Sequence, residues 1–336
     1  MKQTLTDLIN KKDLTNEQAT SAMEDILNGN CKDSQIAAFI TLLRSKGETV
    51  DELSALVKSM WSSMPEFEID TQGDVIDTCG TGGSTLKTFN ISTCVSFILA
   101  ALDVKVAKHG NRAVSSKSGA ADVLEVVGFN LELQPKKVAE LFNEVGFGFL
   151  LAPIFHPGMR FAKNVREELA VRTTFNFIGP LANPFKANIR LHGVSDPLMV
   201  DKYIETLKQL GVEKAIVFSS QNSLDEINLT GITKGKRLEN DNISDFEFLP
   251  EEYDLEVTTD EDIKGGEPQF NAVILNDVMS GKKTTQRSIV VANAAVAYSL
   301  VKNISISDAI ARINEVLDNK QVEEKYRFII ERSNSI

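Results

Sequence analysis

Apolar residues recur at helical spacing along the first 66 residues of the chain. A capping sequence at 13–19 precedes one such stripe, and the segments 35–45 and 50–64 repeat the pattern. The pattern predicts a small all-helical domain over residues 1–66, joined by a helical segment near 165–185. We interpret it as a packing module, because it contains no group of residues with an evident chemical role.

From residue 73 the pattern changes to short apolar runs separated by glycine-bearing loops and helical stretches. Helical patterns lie between most of the runs, which is typical of a largely parallel sheet with crossover helices. The runs that predict strands are 75–77, 104–107, 147–151 and 215–218, with weaker candidates at 191–194 and 271–275. The predicted fold class is therefore α/β, with a larger α/β domain over residues 73–336 after the helical one.

Two later segments differ from this alternation. Residues 233–262 are acidic and poorly periodic, so we expect surface loops and edge structure there. The helical pattern returns from 288 to 335.

Composition and charge argue against several classes of protein. The chain has 336 residues, 42% of them hydrophobic and 25% charged, as in soluble globular proteins. A net charge of −11 argues against nucleic acid or an anionic membrane as a partner. The N-terminus has no apolar signal core, and the longest apolar stretches, 94–102 and 289–301, are too short or too polar for a bilayer span. The three cysteines form no CxxC pair, so we expect a cytoplasmic protein without a disulfide scaffold.

A glycine-rich segment at 77–93 follows the first predicted strand and leads into a helix near Ile91. Glycines bring backbone N–H groups against a ligand, and a helix N-terminus adds partial positive charge. Thr85 occupies the place of the third glycine of a dinucleotide fingerprint, and no Gly-Lys-Ser/Thr closes a P-loop. The segment predicts an anion-binding nest, and a plain strand-to-helix turn is the alternative.

A basic segment at 108–119 follows the next predicted strand and precedes a helix near 120–127. Its Lys108 and Arg112 are able to neutralise phosphate, although a solvated basic loop would explain the charge equally well. Ligands of open α/β sheets bind beyond the carboxyl ends of the strands. Two such loops on consecutive strands therefore predict one crevice for a ligand with separated phosphate groups.

Asp225 and Glu226 follow the strand predicted to end near Ser219. Adjacent carboxylates on a loop are able to bind Mg²⁺, which screens the charge of a polyphosphate. Most Asp-Glu pairs are only surface charge, so the position at the end of a strand is what favours a metal site here.

The segment 156–166 carries a third set of cations. If it is helical, Arg160, Lys163 and Arg166 share one broad face, and Arg166 is able to bind a substrate carboxylate. A charged surface stripe is the ordinary explanation. None of the three histidines has a cysteine or carboxylate at metal or triad spacing, which argues against a hydrolytic triad.

Together these motifs resemble the anthranilate phosphoribosyltransferase family, from about residue 5 to residue 330. The sequences that carry the resemblance are Gly-Thr-Gly-Gly at 80–83, Asn-Ile-Ser-Thr at 90–93, Lys-His-Gly-Asn-Arg at 108–112, Arg-Thr-Thr-Phe-Asn at 172–176 and Gly-Pro-Leu-Ala-Asn-Pro at 179–184. The acidic pair at 225–226 and the segment 265–272 extend it. The resemblance implies a nucleoside phosphorylase/phosphoribosyltransferase-like fold and a homodimer formed through the helical domains. It also implies transfer of a phosphoribosyl group from 5-phosphoribosyl 1-diphosphate to the amine of anthranilate, in tryptophan synthesis.

The resemblance also implies a role for particular positions. The residues implied to hold the phosphoribosyl donor are Gly80, Gly83, Ser84, Thr88, Asn90, Ile91, Ser92, Thr93, Lys108, His109, Gly110, Asn111, Arg112, Ala113, Val114, Ser115, Ser116 and Ala120. Those implied to meet anthranilate are Gly80, Asn111 and Arg166, with Arg166 on the carboxylate. Those implied to ligate Mg²⁺ are Ser92, Asp225 and Glu226.

The chain departs from the family pattern at a few positions. Ser84 stands where the family usually has Asp, Ala120 stands where Ser is common, and the lead-in at 221–223 lacks a glycine often found there. Neither Ser84 nor Ala120 removes a group that the chemistry requires. The aniline nitrogen is neutral at pH 7, so we expect positioning and charge stabilisation without a catalytic base.

Two alternative functions are also compatible with the sequence. A pyrimidine nucleoside phosphorylase shares the architecture, and phosphate-dependent nucleoside cleavage would identify it. A non-catalytic relative that binds nucleic acid would be expected to have a basic surface, which the net charge of −11 disfavours.

Overall fold

The N-terminal segment forms four helices. In the computed structural model, which describes residues 1–69, 72–113 and 117–336, these are α1 (Lys2–Ile9), α2 (Asn16–Leu27), α3 (Asp33–Lys46) and α4 (Val50–Ser62). Thr15 and Thr49 each accept a hydrogen bond from the backbone N–H three residues on. Such caps satisfy donors that the first turn leaves unpaired. The helices predicted in this segment are confirmed.

A seven-stranded sheet forms the centre of the rest of the chain. Its strands are β1 (Val75–Asp77), β2 (Lys105–Gly110), β3 (Phe147–Leu151), β4 (Ile189–Gly193), β5 (Lys214–Ser220), β6 (Thr233–Glu239) and β7 (Asn242–Phe248). Their order is β3-β2-β1-β4-β5-β6-β7. The first five pair in parallel, and β6 and β7 add to the edge in antiparallel pairing. The predicted α/β class with a mainly parallel sheet is confirmed.

Helices connect the parallel strands and cover the sheet. They are α5 (Ile91–Ala101), α6 (Ala120–Val126), α7 (Pro135–Val145), α8 (Ala152–Phe155), α9 (Lys163–Leu169), α10 (Thr174–Leu181), α11 (Val200–Gln209), α12 (Pro268–Met279), α13 (Thr285–Lys302), α14 (Ile306–Asp318) and α15 (Gln321–Ser335). Among the described residues no single helix is long and apolar enough to cross a membrane. Within this described part of the chain, α13 and α14 taken together, bent by 115°, are the one helix pair that reaches that length and composition.

Two hydrophobic cores pack against the sheet, and at β5 they lie on its opposite faces. Along β5, Ala215 and Val217 join one core, while Ile216 and Phe218 join the other, because successive side chains of a strand point to opposite faces. The first core also contains the apolar faces of α2, α3 and α4 together with those of α10 and α11. The second contains α5, α7 and the C-terminal helices.

The structure changes the picture at three points: it overturns one sequence-based expectation and adds detail to two others, of which the edge structure expected at 233–262 is confirmed. The weak strand candidate at 271–275 is wrong: Pro268 opens α12 there, and the buried residues recur at helical spacing. The acidic segment 233–262 contains the hairpin of β6 and β7, whose two-residue turn, Asn240 and Asp241, has φ of 51° and 60°. Asn and Asp tolerate this left-handed backbone, which the primed hairpin turns require.

The third change concerns the cations between 156 and 166. A 3₁₀ turn (Pro157–Ala162) precedes α9. The guanidinium of Arg160 packs on the ring of Phe161, with its carbon 4.5 Å from the ring centroid, while Arg166 is half-buried. The side chains therefore do not form one uniformly exposed stripe.

Candidate functional site

Three loops meet at the carboxyl edge of the sheet beside its central strand. The chain runs from β1 outward to β2 and β3 on one side and to β4 and β5 on the other, which creates the switch point where open α/β sheets bind ligands. The N–H of Thr81 donates to the carbonyl of Gly193, after β4, at 3.0 Å. The N–H of Gly82 donates to Oδ2 of Asp225, after β5, at 2.7 Å. The glycine-rich segment and the acidic pair therefore share one site.

The glycine loop, residues 80–84, depends on its glycines for two different reasons. Gly82 and Gly83 have φ of 64° and 82°, in the left-handed region that other residues rarely adopt. A Cβ on Gly80 would stand 2.7 Å from Oδ2 of Asp225, and one on Gly83 would stand 2.7 Å from the guanidinium carbon of Arg172. Backbone conformation and close packing both exclude larger residues.

A narrow cleft lies beside the contact between the glycine loop and Asp225. The residues that line it are Thr78, Gly80, Ser92, Val95, Leu191, Gly193, Phe218, Asp225, Glu226 and Asn293. Four residues predicted for the site, Gly80, Ser92, Asp225 and Glu226, are thus brought together.

The acidic pair is poorly compensated within the protein. Burial, followed by the charge of Asp225, raises the pKa of Glu226 to about 8. Burial also raises the pKa of Asp225, against the opposing effect of the Gly82 N–H. Two adjacent carboxylates that resist ionisation need a cation nearby to hold both negative charges.

Lys108 lies behind the cleft wall and is bonded to two of the lining residues, Thr78 and Ser92. It is 2% exposed, and its ammonium donates to the carbonyl of Thr78 at 2.9 Å and to Oγ of Ser92 at 3.1 Å. Its charge lowers the pKa of Glu226, but less than burial raises it. This cation therefore neutralises the cleft from below, whereas the sequence suggested an accessible loop lysine.

The N-terminus of α5 lies at the same cleft, with Asn90 as its N-cap residue. The amide of Asn271 donates to Oδ1 of Asn90 at 3.0 Å, and Oγ of Ser118 donates to the same atom at 3.4 Å. These bonds connect the loops after β1 and β2 with α12. An α-helix N-terminus attracts anions, so this position suits a phosphate group.

Four other residues of the glycine-rich segment that were predicted to bind the phosphoribosyl donor have backbone contacts or are buried in the structure. Oγ of Ser84 donates to the carbonyl of Leu86 at 2.6 Å. Thr88 forms an isolated β-bridge with Lys264. Ile91 and Thr93 are buried.

The basic loop after β2 is held by Asp122 in α6. Oδ2 of Asp122 accepts the N–H groups of Ala113 and Gly119, each at 2.8 Å. Arg112 is 48% exposed and pairs with Glu125 at 2.8 Å and with Asp122 at 3.2 Å. Arg112 therefore lies at the rim, already engaged by carboxylates.

The remaining residues of this loop are placed as follows. The N–H of Arg112 donates to Oδ1 of the exposed Asn111 at 2.8 Å. Gly110 packs against Phe149, whose ring would stand 2.7 Å from an added Cβ. Ala120 is the first residue of α6. Val114, Ser115 and Ser116 lie outside the described residues.

His109 lies inside the protein rather than at the loop surface. Its ring is buried and, among the described residues, Nε2 has no hydrogen-bond partner. Burial, followed by the nearby His156, lowers the pKa of His109 to about 3. Its imidazole is therefore neutral and adds no positive charge for a phosphate.

Arg166 is half-buried on α9. Burial lowers the pKa of Arg166, and its guanidinium forms no hydrogen bond or ion pair within the part of the chain that the structure describes. A half-buried guanidinium in such surroundings is available for a carboxylate ligand.

The donor set of the cleft fits Mg²⁺. No three His, Cys, Asp or Glu residues cluster among those that the structure describes, so the protein offers two carboxylates and the Ser92 hydroxyl. Mg²⁺ is ordinarily bound by one or two carboxylates, with water and substrate phosphates completing the shell. The raised pKa values of Asp225 and Glu226 are a further observation that fits a cation at this place.

Two features of the site were missed by the sequence analysis. Arg172 and Ser195 both donate to the carbonyl of Gly82, at 3.2 Å and 2.8 Å. Asp77, at the end of β1, forms a buried ion pair with Arg190 at 3.0 Å. Arg172 is the first residue of the family motif at 172–176, and its place in that motif could have indicated a role in the site. Nothing in the sequence indicates that residues 77 and 190 pair.

The chain matches two family models. Residues 2–64 match the glycosyl transferase family, helical bundle domain, and residues 72–321 match the glycosyl transferase family, a/b domain. Both matches agree with the helical segment and the α/β segment of the structure.

Individual relatives agree over the full length. The chain is 40% identical to an anthranilate phosphoribosyltransferase of Acetivibrio thermocellus over 100% of this chain and 97% of that protein. A relative of the same name from Methanobrevibacter smithii is 38% identical, with 100% of both chains covered.

Solved structures agree as well. The anthranilate phosphoribosyltransferase of Thermus thermophilus superposes with a TM-score of 0.92 at 31% identity, covering 98% of this chain and 99% of that one. The Saccharomyces cerevisiae enzyme in complex with PRPP and Mg shares the fold, with a TM-score of 0.89 at 23% identity over 99% and 97% of the two chains. By sequence, fold and site, this chain belongs to the anthranilate phosphoribosyltransferase family of glycosyl transferases.

Proposed function

We propose that this chain transfers the phosphoribosyl group of 5-phosphoribosyl 1-diphosphate to the amine of anthranilate, giving N-(5-phosphoribosyl)anthranilate and diphosphate. The observation that carries the proposal is the 2.7 Å hydrogen bond from the Gly82 N–H to Asp225. This bond places the acidic pair, whose charges require a cation, next to the glycine loop and the N-terminus of α5. Such an arrangement binds a metal-complexed polyphosphate.

The donor is held by residues from both sides of the cleft. We assign its binding to the glycine loop, to the α5 N-terminus at 90–93 and to the basic loop from Lys108 to Ala113. Asp225, Glu226 and Ser92 would hold Mg²⁺. When bound, the metal neutralises the negative charge that gathers on the diphosphate.

The chain's own residues supply positioning and electrostatic stabilisation. Departure of diphosphate builds positive charge on the sugar and negative charge on the leaving group. The α5 N-terminus and the buried ammonium of Lys108 are fixed before the reaction and oppose that negative charge without reorganising. Holding donor and acceptor together removes the entropy cost of their encounter.

Anthranilate needs a carboxylate partner and no base. We assign its carboxylate to Arg166, supported by the half-buried guanidinium described above. The aniline nitrogen is neutral at pH 7 and attacks through its own lone pair as the bond to diphosphate breaks. The resulting anilinium is a strong acid and releases its extra proton to solvent without a catalytic base. The neutral, buried His109 is consistent with a site that does not use imidazolium chemistry.

The domain division and the dimer remain proposals. We propose a helical domain at 1–66, joined by the segment 165–185, and an α/β domain at 73–336. The shared core of α2–α4 with Phe177 and Ile178 of α10 supports the joining. We also propose a homodimer through the helical domain, which light scattering during gel filtration would test.

The activity is tested by following the loss of anthranilate fluorescence with donor and Mg²⁺ present or omitted. We expect turnover only when both are present. Arg166→Ala should raise the KM for anthranilate about tenfold or more, as expected when a charged hydrogen-bonding partner is lost. Arg160→Ala, a nearby exposed cation, is the matched control and should leave that KM unchanged. An unchanged anthranilate KM in Arg166→Ala would contradict this assignment.

A further inference from the structure

Arg172 connects the glycine loop to the helical part of the protein. Its Nη2 donates to the carbonyl of Gly82 at 3.2 Å, and its Nη1 donates to Oγ of Ser195 at 2.5 Å. Ser195 in turn donates to the same carbonyl at 2.8 Å. Two donors thus hold the carbonyl of a residue whose N–H holds Asp225 at 2.7 Å.

The position of Arg172 is itself fixed by packing. Its guanidinium carbon lies 5.0 Å from the ring centroid of Phe177, and that of Arg44 lies 4.6 Å from the same centroid. Phe177 is 1% exposed and belongs to the core that contains α3 and α4. Planar guanidinium groups stack on aromatic rings, so Arg172 has little freedom to leave this place.

Gly83 is fitted to this arrangement. A Cβ there would stand 2.7 Å from Cζ and Nη1 of Arg172. The guanidinium therefore packs directly on the glycine backbone while it bonds the preceding carbonyl. The glycine pair and Arg172 form one packed unit.

We infer that Arg172 is a positioning residue for donor and metal binding, acting through the glycine loop without touching the reacting atoms. It holds the carbonyl of Gly82, which aims the Gly82 N–H at Asp225 and keeps the loop open for the donor. This inference rests on the proposed function, because it assigns the role of a residue in the same site. It extends the site to a residue that the donor-binding motifs do not include.

The test compares Arg172→Lys with the wild-type enzyme by steady-state kinetics, each substrate and Mg²⁺ being varied in turn. Lysine keeps the charge but cannot donate to Gly82 and Ser195 while it stacks on Phe177. We expect the KM for the donor and the half-saturating Mg²⁺ concentration to rise about 10- to 100-fold, because small displacements of binding groups have effects of that size. The KM for anthranilate should stay within about twofold.

Arg44→Lys is the matched control, since Arg44 packs on the same ring but does not contact the glycine loop. It should leave the donor KM unchanged even if the melting temperature falls. Ser195→Ala removes the other donor to Gly82 and should raise the donor KM in the same direction by a smaller factor, which keeps the test available if Arg172→Lys fails to fold.

Two results would overturn the inference. One is an unchanged donor KM in folded Arg172→Lys or Ser195→Ala, and the other is an equal rise in Arg44→Lys. If the wild-type enzyme turns over both substrates, either result removes only the role of Arg172. If the wild-type enzyme shows no turnover, the proposed function fails. Calorimetry with 5-phosphoribosyl 1-diphosphate and Mg²⁺ then tests the inference by itself: weaker binding to Arg172→Lys than to the wild type supports it, and equal binding overturns it.

Discussion

Two acidic centres lie close together in this protein, and they differ in how far their negative charge is compensated. The carboxylate of Asp77, at the end of β1, accepts hydrogen bonds from Asn183 at 2.8 Å, Arg190 at 3.0 Å and the His109 N–H at 3.3 Å. The pair Asp225 and Glu226, after β5, receives one N–H from the glycine loop at 2.7 Å.

The pKa values show the difference. Burial by itself would raise the pKa of Asp77, but the imidazole of His192, 3.8 Å away, and the guanidinium of Arg190 outweigh it and lower the pKa to about 2. Burial and the neighbouring charge raise the pKa of Glu226 to about 8. Removing one partner from a buried, compensated charge destabilises a fold, whereas buried carboxylates with raised pKa values are typical of a binding site.

Asp77→Asn is the change with the largest expected effect on stability. It leaves the guanidinium of Arg190, 1% exposed, without a counter-ion, and breaking such a buried pair costs about 3–5 kcal/mol. Urea unfolding at pH 7 measures the loss. Because the pKa of Asp77 is lowered, its contribution is present above pH 3.8 and is lost only as the pH falls through about 2. An unfolding free energy equal to that of the wild type would contradict the comparison.

Glu226→Gln is the matched change at the second centre, and its effect should fall on activity. We expect kcat/KM for the donor to fall about 100-fold or more, as when one preorganised electrostatic group is removed. The free energy of unfolding in the presence of a chelator should be unchanged or higher, because the raised pKa of Glu226 means that folding disfavours its ionised form, whereas an amide has no ionised form to disfavour. A loss of stability as large as that of Asp77→Asn would show that both centres are structural.

The sequence predicted the parts of this protein that local patterns encode. Helical stripes, the strand at 75–77 and the glycine-rich loop after it are properties of short segments. The meeting of that loop with Asp225 was predictable because parallel strands end at one edge of a sheet. The strand candidate at 271–275 was wrong because a short apolar run does not distinguish a strand from a buried helix.

Burial could not be read from residue type. Lys108 and His109 look like loop residues in the sequence, yet both lie inside because β2 continues to Gly110. The pairing of Asp77 with Arg190 joins positions 113 residues apart, and only the register of β1 with β4 brings them together. Long-range pairing of this kind leaves no local signal.

The smallest effects are expected at the rim of the site, where Arg112 forms an exposed ion pair instead of a buried one. Arg112 pairs with Glu125, which is 58% exposed. Exposed pairs contribute about 0–1 kcal/mol, so this one is weak enough to be exchanged for a phosphate. Arg112→Ala should therefore change the unfolding free energy by less than about 1 kcal/mol while it raises the donor KM several-fold.

Glu125→Gln separates exchange from a fixed surface pair. If Arg112 leaves Glu125 to bind the donor, removing the competing carboxylate should lower the donor KM by about twofold to fivefold, since the lost pair is worth no more than about 1 kcal/mol. The same kinetics at low and high salt should show the difference shrink as salt screens the pair. A higher donor KM in Glu125→Gln would mean that the carboxylate instead holds Arg112 in its binding position. The ion pair at the rim would then have a structural role, as the pair of Asp77 and Arg190 has.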